Sequence, residues 1–84
     1  MSNTSKIEFP GYNLLSVDEK KCFVAMENLD RDNIWMIAIR NVCKNPNVYR
    51  FRKLVAELKS QAADNGQIMK NILGQELMDY IIKL

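Results

Sequence analysis

Between Val48 and Ala62 the apolar residues Val48, Phe51, Val55, Leu58 and Ala62 stand three, four, three and four positions apart. On a helix of 3.6 residues per turn this interval puts all five on one stripe, whereas on a strand they would be divided between both faces. A stripe of that length must be buried against something, so the chain is expected to fold as packed helices. The start of this helix is read at Asn45-Pro46, with asparagine as N-cap and proline at the first helical position, where its missing N–H costs nothing. Its end is read at Asn65-Gly66, with the glycine in the left-handed conformation.

The same reading extends in both directions. Ser16 followed three residues later by Glu19 matches a capping box, and Cys22, Phe23, Met26 and Leu29 recur behind it at helical spacing, which predicts a helix from about Val17 to Leu29. Asp30 or Asp32 is a candidate cap for the next segment, "NIWMIAIRNVCK", whose six-residue run Ile34 to Ile39 is apolar throughout. Periodicity alone leaves helix or strand open there. A helix is preferred, because no other segment alternates convincingly enough to pair with a strand, and a helix apolar all round belongs in the middle of a bundle. Beyond Gly66 a fourth helix carries Ile68, Met69, Ile72, Leu73, Leu77, Tyr80, Ile81 and Leu84, with Gly74 expected to mark a break, a kink or a close helix contact, which leaves one helix or two short ones open. Residues 1 to 14 show no sustained period and contain the turn signal Pro10-Gly11, so they are read as a flexible or loosely docked arm. The expected fold is all-α, a compact bundle of four to five helices formed by residues 15 to 84 as one domain.

Composition closes several functional routes. With 84 residues, 48% hydrophobic and 26% charged, the chain has material for one small core and none for a second module. The longest apolar run is far short of the ~18 to 20 residues that cross a bilayer, and "MSNTSKIEFPGYN" lacks the basic start and apolar stretch of a secretory signal. No membrane association and a cytoplasmic location are therefore expected. Cys22 and Cys43 are read as two free buried thiols in preference to a bridge, which the sequence leaves open, and with no histidine they cannot complete the usual four-ligand zinc site.

The absence of histidine also removes the commonest general base. Asp18-Glu19 falls in the first turn of a helix, where negative charge suits the dipole. Asp30, Asp32 and Asn33 lack the twelve-residue calcium loop around them, and Gly11, Gly66 and Gly74 assemble into no phosphate-binding loop. Neither catalysis nor a cofactor nor a metal is expected.

Charge is distributed unevenly. Residues 31 to 60 hold seven basic and two acidic side chains, within a chain whose net charge is only +2. Arg40 and Lys44 close the second helix, and Arg50, Arg52, Lys53 and Lys59 ride on the third around Tyr49 and Phe51. Helical phase sets Arg50 and Lys53 together and carries Arg52 away toward Lys59, while Phe51 belongs to the core stripe and only Tyr49 is free to meet a partner. The C-terminal helix holds more apolar residues than one face of a small bundle buries. Met69, Met78 and Ile82 are accordingly read as contact residues for a partner, or as a homodimer seam.

The octapeptide "FRKLVAEL", Phe51 to Leu58, resembles a stretch in phage anti-sigma proteins of the AsiA family, which are small and helical. The likeness covers about a tenth of the chain and transfers no residue roles. It implies only that a small helical protein without chemistry acts by capping a larger machine. The expectation is thus a non-catalytic adaptor or inhibitor that binds a protein through Arg40, Lys44, Tyr49, Arg50, Lys53, Met69, Met78 and Ile82. The alternative is a nucleic-acid-binding regulator that uses the basic segment 40 to 59 on phosphates.

Overall fold

The computed structural model describes residues 9–29 and 32–84, and these form four α-helices preceded by a short 3-10 turn, with no strand among them. The elements are the 3-10 turn Tyr12–Leu14, α1 Val17–Glu27, α2 Met36–Lys44, α3 Val48–Leu73 and α4 Gln75–Lys83. The all-α bundle expected from periodicity is the fold observed, and the apolar run at 34 to 39 enters a helix.

Helix α1 begins as its capping box dictates. The Ser16 hydroxyl accepts from the Glu19 N–H at 3.1 Å, and the Glu19 carboxylate accepts from the Ser16 N–H at 2.9 Å. Asp30 lies outside the described residues. Asp32 is no cap: α2 starts only at Met36, after a turn in which the Asn33 side-chain oxygen accepts from the Trp35 N–H at 2.7 Å. Helix α2 is also not buried all round. It turns Met36, Ile39 and Val42 inward and leaves Ile37 75% exposed, while Ile34, ahead of the helix, is 82% exposed.

The start of α3 is two residues later than Asn45-Pro46 suggests. Asn45 terminates α2 with its N–H donating to the Asn41 carbonyl, Pro46 lies between the helices, and the Asn47 side-chain oxygen accepts from the Arg50 N–H at 2.8 Å. The same capping chemistry is at work from the second asparagine, because the first is taken up in ending α2. Asn65-Gly66 does not end the helix in a left-handed turn. Asn65 alone departs from helical angles, at φ −137° and ψ 55°, and the helix resumes beyond it as a kinked continuation to Leu73. Gly74 does break the chain, at φ +90°, and α4 follows at once.

The core is entirely apolar among the described residues. Cys22, Phe23 and Met26 of α1, Ile39 of α2, Phe51, Leu58 and Leu73 of α3, and Ile81 of α4 are fully enclosed. Helix α4 packs on α1 and α3, and α2 bridges α1 to the first half of α3. Residues 1–8 of the expected arm lie outside the described set, but residues 9–14 are docked. Phe9 is buried, its ring 5.1 Å from that of Phe23, and Phe23 lies 5.8 Å from Phe51, so the segment before α1 joins an aromatic row through the core.

Candidate interaction groove between the second and third helices

The basic segment divides in space according to helical phase. Arg52 turns toward α1, where its Nε donates to Glu19 Oε2 at 2.9 Å and its second terminal nitrogen to Glu19 Oε1 and the Leu14 carbonyl, both at 3.2 Å. Glu19 thereby caps its own helix and fastens α3 to it. The Arg52 guanidinium, ahead of the Ser16 backbone contact, holds this carboxyl below its ordinary value of 4.5. One cation of the sequence cluster is thus committed to structure.

Arg50 and Lys53 turn the other way, toward α2. With Tyr49, Leu54 and Glu57 of α3 and Ala38, Asn41 and Val42 of α2, they line an open groove of about 570 Å³. Half-buried Ala38 and the edges of the buried Val42 and Leu54 form a narrow apolar floor, and the exposed Tyr49 ring stands beside it with the polar residues. Tyr49 is 74% exposed, and among the described residues neither Arg50 nor Lys53 has an ion-pair partner. The groove therefore combines two uncommitted cations, an accessible phenol and an apolar floor.

The other residues expected at a binding surface are placed elsewhere. Arg40 lies on the side of α2 toward α1, lining a small cleft with Met26, Glu27 and Cys43, and its guanidinium stands 3.9 Å from the exposed Asp32 carboxylate. Lys44 is exposed in the last turn of α2, where it suits the helix dipole, and does not line the groove. Met69 and Met78 are core residues, 3% and 2% exposed, and neither lines the groove. Most of the apolar residues of the C-terminal region are buried, Met69 and Leu73 before the break at Gly74 and Leu77, Met78 and Ile81 after it. Ile82 remains exposed with Ile68, and it lines a separate depression beside Gln67, Lys70 and Asp79. The groove thus brings together three of the eight expected residues: Tyr49, Arg50 and Lys53.

Sequence reading missed Asn41, Glu57 and the exposed Ile34 and Ile37. The i, i+4 spacing of Ile37 and Asn41 was a usable signal, as it puts both on one face of α2. The cysteines are unpaired, with Cys22 buried and Cys43 half-buried. Burial first, and then Glu19, pushes the Cys22 thiol up to about 12, while burial and then Glu27 pushes Cys43 up to about 11. Neither forms a ready thiolate nucleophile near neutral pH. Among the described residues no group of three or more potential ligands could hold a metal ion, and no helix is long and apolar enough to cross a membrane. No family model matches this chain, and comparisons with curated proteins and with solved structures likewise return no match.

Proposed function

We propose that this chain is a non-catalytic binding protein, a small adaptor or inhibitor that docks on a larger protein through the α2–α3 groove. The observation that carries this reading is the pairing of Arg50 and Lys53, without ion-pair partners among the described residues, with an apolar floor in an open groove. A charged rim around an apolar floor steers association and sets register, while the floor supplies desolvated contact. The lack of histidine and the protonated thiols support a role without chemistry. Phosphate recognition is less well supported, because Arg52 is tied to Glu19 and Arg40 lies on the α1 side of α2, so the cations do not form one continuous face.

Titration of the chain into random-sequence duplex DNA, at low and at moderate salt, separates the two. The protein-binding reading expects no complex even at low salt. Binding that falls steeply as salt rises would overturn it in favour of phosphate contacts. Affinity capture from native cells provides the positive arm, with a protein retained by the wild-type chain and lost from the Asn41→Ala, Tyr49→Ala double variant, which removes only exposed groove side chains.

A further inference from the structure

We infer that the occupant of the α2–α3 groove is an acidic amphipathic helix of the partner protein. This rests on the binding reading above and adds to it the chemistry of what binds. Charge complementarity is the first argument. Arg50 and Lys53 stand on one rim and lack acidic partners among the described residues, and Glu57 follows one turn beyond Lys53 on the same helix. A complementary segment carries carboxylates against Arg50 and Lys53 and a neutral or basic side chain near Glu57. The charge order therefore fixes its direction as well as its sign.

The form of the groove selects a helix. Among the described residues there is no strand, hence no sheet edge on which an extended peptide could add hydrogen bonds. The walls are two helices, and side-chain rows on helices accept the side-chain rows of a third. Tyr49, Lys53 and Glu57 follow at intervals of four along α3, a length of about 12 Å, so a docked helix engages over two to three turns. Its apolar residues, spaced at three and four, fit between Ala38 and Val42 on one wall and Leu54 on the other.

Two alanine-rich peptides of about 16 residues, long enough to be partly helical, provide the probe. Both carry leucines at helical spacing; one has glutamates flanking the leucines and the other has lysines. Titrated into the full ¹⁵N-labelled chain at low salt, the glutamate peptide is expected to shift the amides of Asn41, Tyr49 and Lys53 and to bind about tenfold more tightly than the lysine peptide. In the Arg50→Glu, Lys53→Glu chain, checked for an unchanged helical spectrum, the preference is expected to reverse. Equal affinities, a preference for lysine, or shifts centred on Ile82 would overturn the inference. Capture of the native partner separates its failure from that of the binding reading. If the Asn41→Ala, Tyr49→Ala variant loses the partner while charge reversal retains it, a protein docks in the groove but is not acidic. If both variants retain the partner, the groove is not the docking site and both fall.

Discussion

Arg50 and Arg52 are two residues apart on one helix and have opposite fates. On the α1 side of α3, Arg52 closes a junction. It binds the Glu19 carboxylate and the Leu14 carbonyl, and on the same stretch before α1 Phe9 is buried against Phe23 and Gly11 fits so closely against Val48 that a Cβ there would lie 2.5 Å from Val48 Cγ2. On the α2 side, Arg50 and Lys53 border an open groove and have no ion-pair partner among the described residues. The difference comes from a rotation of about 200 degrees over two helical positions. A cation's role here is set by which neighbour its phase presents it to, not by the basic composition of the segment, so the junction is structure and the groove is available surface.

The largest effect is expected where both sides rest on the same wall. Phe51 is fully buried between Phe23 and the rest of the core, and Phe51→Ala should cost about 3–5 kcal/mol in urea unfolding. Against a total stability of about 5–15 kcal/mol, that loosens junction and groove together. Gly11→Ala tests the closed side alone. The residue sits at φ +86° and the added methyl meets Val48, so a loss of about 1–3 kcal/mol is expected. A neutral outcome would show that the junction is not tightly packed and would remove the contrast with the groove.

Much of this architecture was readable locally. The capping box at Ser16 and Glu19, the stripe through Phe51, Val55 and Leu58, and the break at Gly74 each depend on residues within a turn or two of one another, and each is present in the fold. Two of the failures have their cause in competition and distance. Asn45 and Asn47 both satisfy the N-cap rule, and only the run of α2 to Lys44 decides that the first ends one helix while the second begins the next. Met69 stands on the buried line with Leu73, Leu77 and Ile81, at intervals of four, so its place in the core was open to the same reading of period that assigned it to a partner. The Arg52–Glu19 contact joins residues 33 positions apart and exists only once α1 and α3 are placed, whereas the separation of Arg50 and Lys53 from Arg52 follows from phase alone.

Ser16→Ala should weaken the junction by about 1 kcal/mol, through loss of the hydroxyl that accepts from the Glu19 N–H. Acid probes the same corner. Because the folded Glu19 carboxyl titrates below its ordinary 4.5, chiefly through Arg52, its contribution is fully present above that value and is lost as the pH falls through the folded value. Glu27 acts in the opposite sense, since burial raises its pKa and acid relieves the cost of its buried charge. The informative quantity is therefore the difference between wild type and Arg52→Ala: the variant's urea midpoint should decline less between neutral pH and about pH 3, as its Glu19 titrates nearer the unfolded value.

The smallest effect on stability carries the sharpest form of the comparison. Arg50→Ala and Lys53→Ala remove exposed side chains without ion-pair partners among the described residues, and each should leave the unfolding free energy within about 0.5 kcal/mol of wild type. Their acid limbs should overlay the wild-type curve, because neither residue touches Glu19. Arg52→Ala, with the same change in charge two residues from Arg50, should lower the urea midpoint at neutral pH and flatten the acid limb. If all three variants behaved alike in stability, helical phase would not be what separates the cations, and the groove would lose its claim to a distinct role. If Arg50→Ala and Lys53→Ala leave stability unchanged and weaken partner capture while Arg52→Ala acts mainly on stability, the two sides of α3 are divided between recognition and support.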